Sequence, residues 1–347
     1  MALQQPHPNV SPVAPSAASG GLSTLRRELS FHDWLVLSFV LALNAAALMT
    51  PSGPTRTNCL LQVFAMLLFL IATLLLVRGG WLKHRFSAAL LYRIGIYGSV
   101  QLSYFILGGL LPLLHPETLD QQLYALDLML FGFEPALAMD ALLTPARTEW
   151  FAFFYYTYFF ILAAHVIPIL FGSRSQRRLG EFALGMLLVF CLGHTGYMLV
   201  PGYGPHWGLS DQFQNALPSG FWTDLVMATV ASGGSQLDIF PSLHTAAPTF
   251  ITLYSFRHRH LRPYRYTWIL LAFVSTNIIV ATMYLRWHYV IDVVAGLVLA
   301  ILASVLSVRV TAWELRRRER VCSTPNWPLF VTARRSEPPP PPGPTQP

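Results

Sequence analysis

The chain has 347 residues, of which 54% are hydrophobic and only 11% are charged. A soluble domain carries about 25% charged residues, so this composition excludes an ordinary soluble protein and indicates a single polytopic membrane bundle. The net charge of +7 does not indicate nucleic-acid binding, because the basic residues fall in loops between apolar segments. The three cysteines show neither metal-ligand spacing nor even pairing. We therefore expect no metal site and no cofactor.

Both ends of the chain have the composition of disordered segments. Residues 1–30 are rich in Ser, Pro, Ala and Gln, without the cationic start and apolar stretch of a cleaved signal peptide. Residues 313–347 begin with a basic cluster and end in a proline-rich stretch. We expect a disordered tail at each end, with N-terminal transmembrane helices in 31–115 and the main bundle in 116–312.

Eight apolar stretches between these tails approach the roughly 20 residues that a helix needs to cross a bilayer. They cover residues 33–49, 58–77, 88–114, 149–171, 179–200, 242–257, 266–285 and 288–311. The expected fold is therefore all-α, a multi-pass membrane bundle of about eight transmembrane helices.

The cations of the connecting segments segregate between the two sides when eight crossings are assumed. One side holds sixteen of them: Arg26, Arg27, Arg78, Lys83, Arg85, Arg174, Arg177, Arg178, Arg257, Arg259, Arg262, Arg265, Arg316, Arg317, Arg318 and Arg320. The other side holds Arg56, Arg147 and Arg286. Because positively charged loops stay in the cytoplasm, both termini are expected to be cytoplasmic. Loops 115–148 and 200–241 then face the exterior, the periplasm or an organelle lumen.

Two features of this outer side suggest contact with the membrane interface. Apolar residues flank sparse acids in 127–135, which predicts a short amphipathic helix. This helix forms either a floor beneath a lipid substrate or a plain cap on the bundle, and the sequence does not choose between them. The outer end of the fourth stretch is expected to carry an aromatic belt of Tyr155, Tyr156 and Tyr158.

The last apolar stretch begins with a histidine and an aspartate four residues apart, His288 and Asp292. This spacing places both side chains on one face of a helix, one turn apart. A carboxylate there can hold one imidazole nitrogen and leave the other free to act as a nucleophile or base. A buried Asp within a bilayer also needs a partner. His288 is the expected one.

The sixth stretch begins with Pro241-Ser242-Leu243-His244, which has the pattern of a helix start. Free backbone N–H groups at such a start bind phosphate oxygens readily. Ser242 is expected either to bind phosphate or only to cap the helix. His244 would reach the oxygen of a leaving group.

The Gly- and Pro-rich turn 201–208 breaks the fifth stretch and allows close approach of the backbone to a ligand. Tyr203 and His206 in this turn are candidate phosphate donors. Arg286 is a third candidate because it is one of the few cations on the outer side, although it equally suits an anchor at the membrane interface.

Together these residues predict metal-independent phosphoryl transfer. His288 would attack phosphorus to form a phosphohistidine, Asp292 would stabilise its cationic ring, and His244 would protonate the departing oxygen.

The motifs resemble those of the type 2 phosphatidic acid phosphatase superfamily. Pro-Ser-Leu-His at 241–244 followed by His-x-x-x-Asp at 288–292 carries this likeness, which covers roughly residues 120–300. The finer pattern is similar to the inositol phosphorylceramide synthase branch, through 284–289, the turn 201–205 and 127–135. The resemblance implies a six-helix core that begins with the third stretch, and a catalytic bundle over 116–312. It gives His288, Asp292 and His244 the same roles.

Two departures weaken the plain phosphatase pattern and favour the synthase-like branch. The Ser-Arg pair that precedes the nucleophile in phosphatases is Ala281-Thr282 here, and the Lys-x6-Arg-Pro motif is absent. The usual phosphate-binding cations are therefore missing.

The leading hypothesis is a membrane enzyme that transfers a phosphoryl or inositol-phosphate-like head group on lipids at the non-cytoplasmic face. One alternative is a lipid phosphatase, in which water is the acceptor. A third, from another class, is a lipid-binding or transport protein without catalysis. The expected partners are a phospholipid or other lipid phosphate and the bilayer, with neither nucleic acid nor an obligate protein partner.

Overall fold

The computed structural model describes residues 22–233 and 236–330. These residues form fourteen α-helices: α1 (Leu22–Glu28), α2 (Phe31–Met49), α3 (Pro54–Arg78), α4 (Arg85–Arg93), α5 (Ser99–Leu114), α6 (Asp120–Phe131), α7 (Pro135–Asp140), α8 (Pro145–Gly172), α9 (Gln176–Leu199), α10 (Pro205–Gly208), α11 (Phe221–Ser232), α12 (Leu243–Arg257), α13 (Tyr264–Tyr284) and α14 (Val290–Arg320). An isolated bridge between Gly202 and Asp238 is the one β-type pairing in this part of the chain. The all-α prediction is confirmed.

Seven spans are long and apolar enough to cross a membrane. A π-helical turn, Ile94–Gly98, joins α4 and α5 into one span, Arg85–Leu114. The other six are α2, α3, α8, α9, α13 and α14. The protein is therefore an integral multi-pass membrane protein.

The predicted span 242–257 is α12, which has only 15 residues. At 1.5 Å per residue it is about 22 Å long, shorter than the roughly 30 Å hydrocarbon core of a bilayer. Helices α8, α9, α13 and α14 pack around it, and its Phe250 and Ile251 are fully buried. The eight predicted stretches therefore correspond to seven long spans and to one short helix that these spans enclose. A helix shielded by its neighbours does not have to match the thickness of the bilayer.

Contacts at both ends of α12 fix its direction in the bundle. At its start, the Ser242 N–H donates to the Asp292 carbonyl on α14 (3.0 Å). Near its end, Arg257 donates to the Ser304 hydroxyl further along α14 (2.8 Å). The Tyr254 hydroxyl there donates to the carbonyl of Arg178, in the first turn of α9. Helix α12 thus runs parallel to α14 and antiparallel to α9, as the alternation of loop charge requires.

The two ends of the described chain meet at the same end of the bundle. The guanidinium of Arg318 donates to the Glu28 carbonyl (2.7 Å), and Arg78 pairs with Asp33 (2.8 Å) inside the protein. The side of the membrane on which this end lies remains a prediction.

The predicted disorder of the two tails does not extend to all of their residues. Residues Leu22–Glu28 form α1, and α14 continues to Arg320. Beyond it, the Trp327 side chain is fully buried, and the backbone N–H of Trp327 donates to Gln176 Oε1 (3.0 Å). The apolar side chain and these polar contacts hold the segment against the bundle. Residues 1–21 and 331–347 of the two tails lie outside the described residues.

Candidate active site

A cavity of about 580 Å³ lies between α5, α8, α9, α11 and the start of α12, and both His244 and His288 line it. Ten of its 27 described lining residues are Phe, Tyr or Trp: Tyr104, Phe105, Tyr155, Tyr156, Tyr158, Phe159, Phe190, Tyr197, Tyr203 and Trp287. This volume and lining are typical of small-molecule sites, which are mainly apolar with a few convergent polar groups.

The two predicted histidines meet in this cavity. Their ring centroids are 6.3 Å apart, with the ring planes inclined by 50°. His244 lies in the first turn of α12, and His288 precedes α14 by two residues. Gly296 brings the two helices together, since a Cβ atom there would lie 2.5 Å from the Ser242 carbonyl oxygen. Close helix packing therefore sets the separation of the rings.

Asp292 is held beside His288 at the start of α14. Its Oδ2 lies 3.4 Å from His288 Nδ1 and accepts a hydrogen bond from the Tyr289 N–H (3.0 Å). The Nδ1 separation is longer than a normal hydrogen bond, and catalytic pairs are often this loose before substrate binds. Asp292 Oδ1 is buried without a hydrogen-bond partner. The Asp292 carboxylate can therefore still accept a hydrogen bond from His288 Nδ1. The other ring nitrogen, Nε2, lies on the edge of the ring that faces away from Asp292.

Burial keeps the His288 ring neutral. The pKa of His288 is lowered to about 3, mainly by desolvation and to a smaller extent by the neighbouring His244, while the Ile239 backbone opposes the shift. A neutral imidazole has a lone pair available for attack, whereas an imidazolium has none. The ring is therefore in the form that a nucleophile requires.

His244 lies between two aromatic rings of α8. The Tyr155 ring stacks on it at 4.3 Å between centroids, and the Tyr158 ring is tilted at 4.2 Å. Its Nε2 is buried without a hydrogen-bond partner in the protein. Burial lowers the pKa of His244 to about 3, so the ring is neutral on its own. It can act as an acid only when a bound anion and the two aromatic faces stabilise its protonated form. The predicted aromatic belt is therefore partly internal, with Tyr155 and Tyr158 buried against His244.

Ser242 does not reach the cavity. Its hydroxyl accepts a hydrogen bond from the Thr245 N–H (3.3 Å), and its side chain is fully buried. It caps α12, which is the second of the two roles considered for it. Ser242 is not among the described residues that line the cavity, so its phosphate contact finds no support in this geometry.

Arg286 is also directed elsewhere. Its guanidinium donates to Asp140 Oδ1 and to the Asn215 carbonyl, both at 2.6 Å, and lies 3.9 Å from the centre of the Phe213 ring. It is buried and does not line the cavity. Its predicted role as a phosphate ligand is therefore corrected to that of a connector between outer loops. The Arg286 carbonyl accepts from the His206 N–H (2.8 Å) and so positions that residue.

Tyr203 and His206 do line the cavity, as predicted for phosphate-binding candidates. The Asp120 carboxylate holds their turn by accepting from the N–H groups of Tyr203 (3.0 Å) and Gly204 (2.8 Å). Gly204 has φ +90°, and a Cβ atom there would lie 2.3 Å from the Trp287 carbonyl oxygen. A glycine is therefore required where this turn approaches the His288 segment.

The predicted outer helix at 127–135 corresponds to the end of α6 and the start of α7. The Asp127 carboxylate accepts from the N–H groups of Val290 (2.6 Å) and Ile291 (2.9 Å), the first residues of α14. None of the residues of α6 or α7 lines the cavity. Of the two roles left open for this helix, the geometry supports the cap, because Asp127 fixes the helix start next to His288.

Asp238 and His194 were not expected in the site, yet both line the cavity. His194 contacts the Ser103 hydroxyl through Nδ1 (3.0 Å). The available sequence signal for Asp238 was a lone acid three residues before Pro241, in apolar surroundings. No group of three or more His, Cys, Asp or Glu side chains suited to a metal ion occurs within 22–233 and 236–330.

A family model described as the PAP2 superfamily matches residues 121–306, which include His244, His288 and Asp292. The chain belongs to the PAP2 superfamily. The family and the fold together indicate a membrane-embedded lipid phosphoryl enzyme of the phosphatase type, with a lipid substrate in the bilayer. Searches of curated proteins and of solved structures found no match. The resemblance to the superfamily is thus confirmed, whereas the synthase-like branch remains a prediction.

Proposed function

We propose that this PAP2-superfamily protein transfers a phosphoryl or phospho-head group between lipids through a phosphohistidine intermediate. The observation that carries this proposal is the convergence of His244 and His288 on one cavity, 6.3 Å apart between ring centroids. Reacting atoms in a productive complex are about 3–3.5 Å apart, so two such contacts end to end span roughly the distance between the two imidazole rings. One phosphate group between the rings would contact both.

The first half-reaction uses each residue once. His288 donates its lone pair to phosphorus, and a P–N bond forms as the bond from phosphorus to the leaving oxygen breaks. His244 gives that oxygen a proton and becomes neutral. Asp292, 3.4 Å from Nδ1, stabilises the positive charge on the phosphorylated ring.

The second half-reaction reverses this sequence with a new acceptor. An alcohol attacks phosphorus, the P–N bond breaks, and neutral His244 takes the proton of the attacking hydroxyl. His288 recovers its lone pair. If water attacks instead, the same steps make the protein a lipid phosphatase.

Phosphate oxygens would be held without lysine or arginine. The backbone N–H groups of Leu243 and His244 lie in the first turn of α12, where no carbonyl within the helix reaches them. Tyr203 and His206 add side-chain donors from the opposite turn. These neutral donors and the positive end of the α12 dipole suit an anion.

The synthase-like motifs favour an inositol-phosphate-like head group and an alcohol acceptor. We propose that the site faces the exterior, the periplasm or an organelle lumen, because the loops around the cavity carry few cations. We further propose metal-independent turnover, since two histidines and one aspartate supply the nucleophile, the acid and the charge stabilisation. Activity should survive EDTA, and a loss restored by Mg²⁺ would contradict this proposal.

The test is to incubate the purified full-length protein with head-group-labelled phosphatidylinositol and either ceramide or diacylglycerol. A new labelled phospholipid identifies a transferase. Release of labelled inositol phosphate, or of free phosphate from phosphatidic acid, identifies a hydrolase. His288→Ala and His244→Ala should each abolish turnover, whereas the exposed His260→Ala is the matched control. Activity like wild type in both site variants would leave the non-catalytic lipid-binding alternative.

A further inference from the structure

The cavity carries an unusual set of charges for a phosphate site. Its described lining residues include one carboxylate, Asp238, and neither lysine nor arginine. The three outer-side arginines are engaged elsewhere: Arg286 with Asp140, Arg147 with the Leu142 carbonyl, and Arg56 with Ser52 and the Leu48 carbonyl. Fixed formal charge in the cavity therefore comes from Asp238.

Backbone contacts hold Asp238 close to the reacting centre. Its backbone pairs with Gly202 of the Gly- and Pro-rich turn. The next residue, Ile239, hydrogen-bonds His288 through its backbone. The Tyr104 side chain on α5 lies beside the Asp238 carboxyl and opposes the rise in its pKa. Asp238 therefore shares the cavity with His288 and would lie near a phosphate bound there.

The charge of Asp238 acts on any anion in this space. Burial raises its pKa to about 6, so the carboxyl is ionised at pH 7.5. At a separation on the order of 6–10 Å and an effective dielectric constant of about 20, one extra negative charge on the substrate weakens binding roughly 15-fold to 100-fold. No lysine or arginine in the described lining offsets this repulsion.

We propose that Asp238 is a specificity-determining residue that favours phosphodiester lipids over phosphomonoester lipids. A diester phosphate carries one negative charge, whereas a monoester phosphate carries up to two near neutral pH. This inference rests on the proposed phosphoryl-transfer function. It assigns the discrimination to repulsion by one residue, since the described wall contains no lysine or arginine that would neutralise the second charge of a monoester.

Two lipids that differ chiefly in phosphate charge test the proposal. Phosphatidic acid is the monoester, and phosphatidylmethanol, with the same acyl chains, is the small diester. Attack by His288 releases diacylglycerol from both, so one readout serves the two substrates. We expect wild-type protein at pH 7.5 to have the higher kcat/KM on phosphatidylmethanol.

Asp238→Asn removes the charge and keeps the shape and an accepting oxygen for Tyr104. It should raise kcat/KM for both lipids, because both are anions, and the rise should be roughly tenfold or more greater for phosphatidic acid, which carries the additional charge. Asp211→Asn removes a charge from an exposed outer-loop carboxylate outside the cavity and should change neither value. If Asp238→Asn does not fold, Asp238→Ser provides a second neutral variant with the same expected result.

A wild-type preference for phosphatidic acid would overturn the inference, as would equal changes for both lipids in the neutral variants. Failure of the proposed function has a different signature. In that case, wild-type protein would release diacylglycerol from neither lipid, nor from phosphatidylinositol.

Discussion

His244 and His288 come from helices α12 and α14, and their rings face one cavity at a centroid separation of 6.3 Å. The start of α12 donates a backbone hydrogen bond to α14 at Asp292, so the nucleophile–acid distance depends on the fit of these two helices. A substitution at the contact between α12 and α14 should therefore lower kcat more than it weakens lipid binding elsewhere in the cavity.

Asp292→Asn should lower kcat roughly 10²-fold to 10⁴-fold and change KM by less than about threefold. The amide keeps the shape of the side chain but cannot balance the charge of a phosphorylated His288. Steady-state kinetics in detergent micelles would measure both constants, with the exposed Asp224→Asn as a control of equal charge change. A raised KM with kcat unchanged would instead place Asp292 in substrate binding.

Tyr155→Leu should lower kcat for lipid substrates, because His244 loses the ring that stacks on it at 4.3 Å. A cation–π contact of about 0.5–2 kcal/mol corresponds to a loss of roughly 2-fold to 30-fold. Tyr155→Phe keeps the ring and should stay near wild type. An aryl phosphate ester has a good leaving group that depends less on protonation by His244. The loss of kcat in Tyr155→Leu should therefore be smaller on that substrate than on a lipid. An equal loss on both substrates would argue against a role through His244.

Arg286→Ala and Asp140→Ala should each destabilise the protein, by roughly 3–5 kcal/mol if the break leaves a buried charge unpaired. The double variant should cost much less than the sum, since the two groups pair at 2.6 Å. Thermal unfolding of the four proteins in detergent would give the coupling, with the exposed Arg147→Ala as a control. Additive effects, together with a KM increase confined to Arg286→Ala, would restore Arg286 as a phosphate ligand.

Glu134→Gln should remove a pH dependence of stability between about pH 4.5 and pH 8. Burial and the neighbouring Asp127 charge raise the pKa of Glu134 from 4.5 to about 8. The folded state then binds a proton that the unfolded state releases, so wild-type stability falls as pH rises through this window. Glutamine mimics the protonated acid and should make this part of the profile flatter. Thermal unfolding at pH 5, 7 and 9 would measure the slopes, and identical slopes would contradict the raised pKa.

Gly296→Ala should lower both stability and turnover, because the added methyl group would lie 2.5 Å from the Ser242 carbonyl oxygen. Overpacking of this kind costs about 1–3 kcal/mol, and here it also pushes α12 away from α14. Gly172→Ala adds the same methyl group with no atom within 4 Å and should be near neutral. Thermal unfolding and kcat for both variants provide the test. Unchanged turnover in Gly296→Ala would show that the histidine spacing tolerates movement of α12.

Local patterns were enough to locate most of the spans and the two histidine motifs. Apolar length identified the seven long spans, since the bilayer requires it. The four-residue spacing of His288 and Asp292 placed them together, since neighbours on a helix face are set by the helical repeat. The same reasoning located α12 but did not reveal its surroundings, because apolar length cannot distinguish a lipid-facing helix from an enclosed one.

The sequence by itself determined the class of protein, the segments that enter the membrane and the residue types that carry the proposed chemistry, because these depend on composition and short-range periodicity. Only the tertiary structure decided which of those residues share the cavity. It separated Arg286 and Ser242 from the site and brought in Tyr155, Tyr158 and Asp238. Partner choice between residues as distant in sequence as Arg286 and Asp140 depends on how helices and loops pack, and no local pattern encodes it.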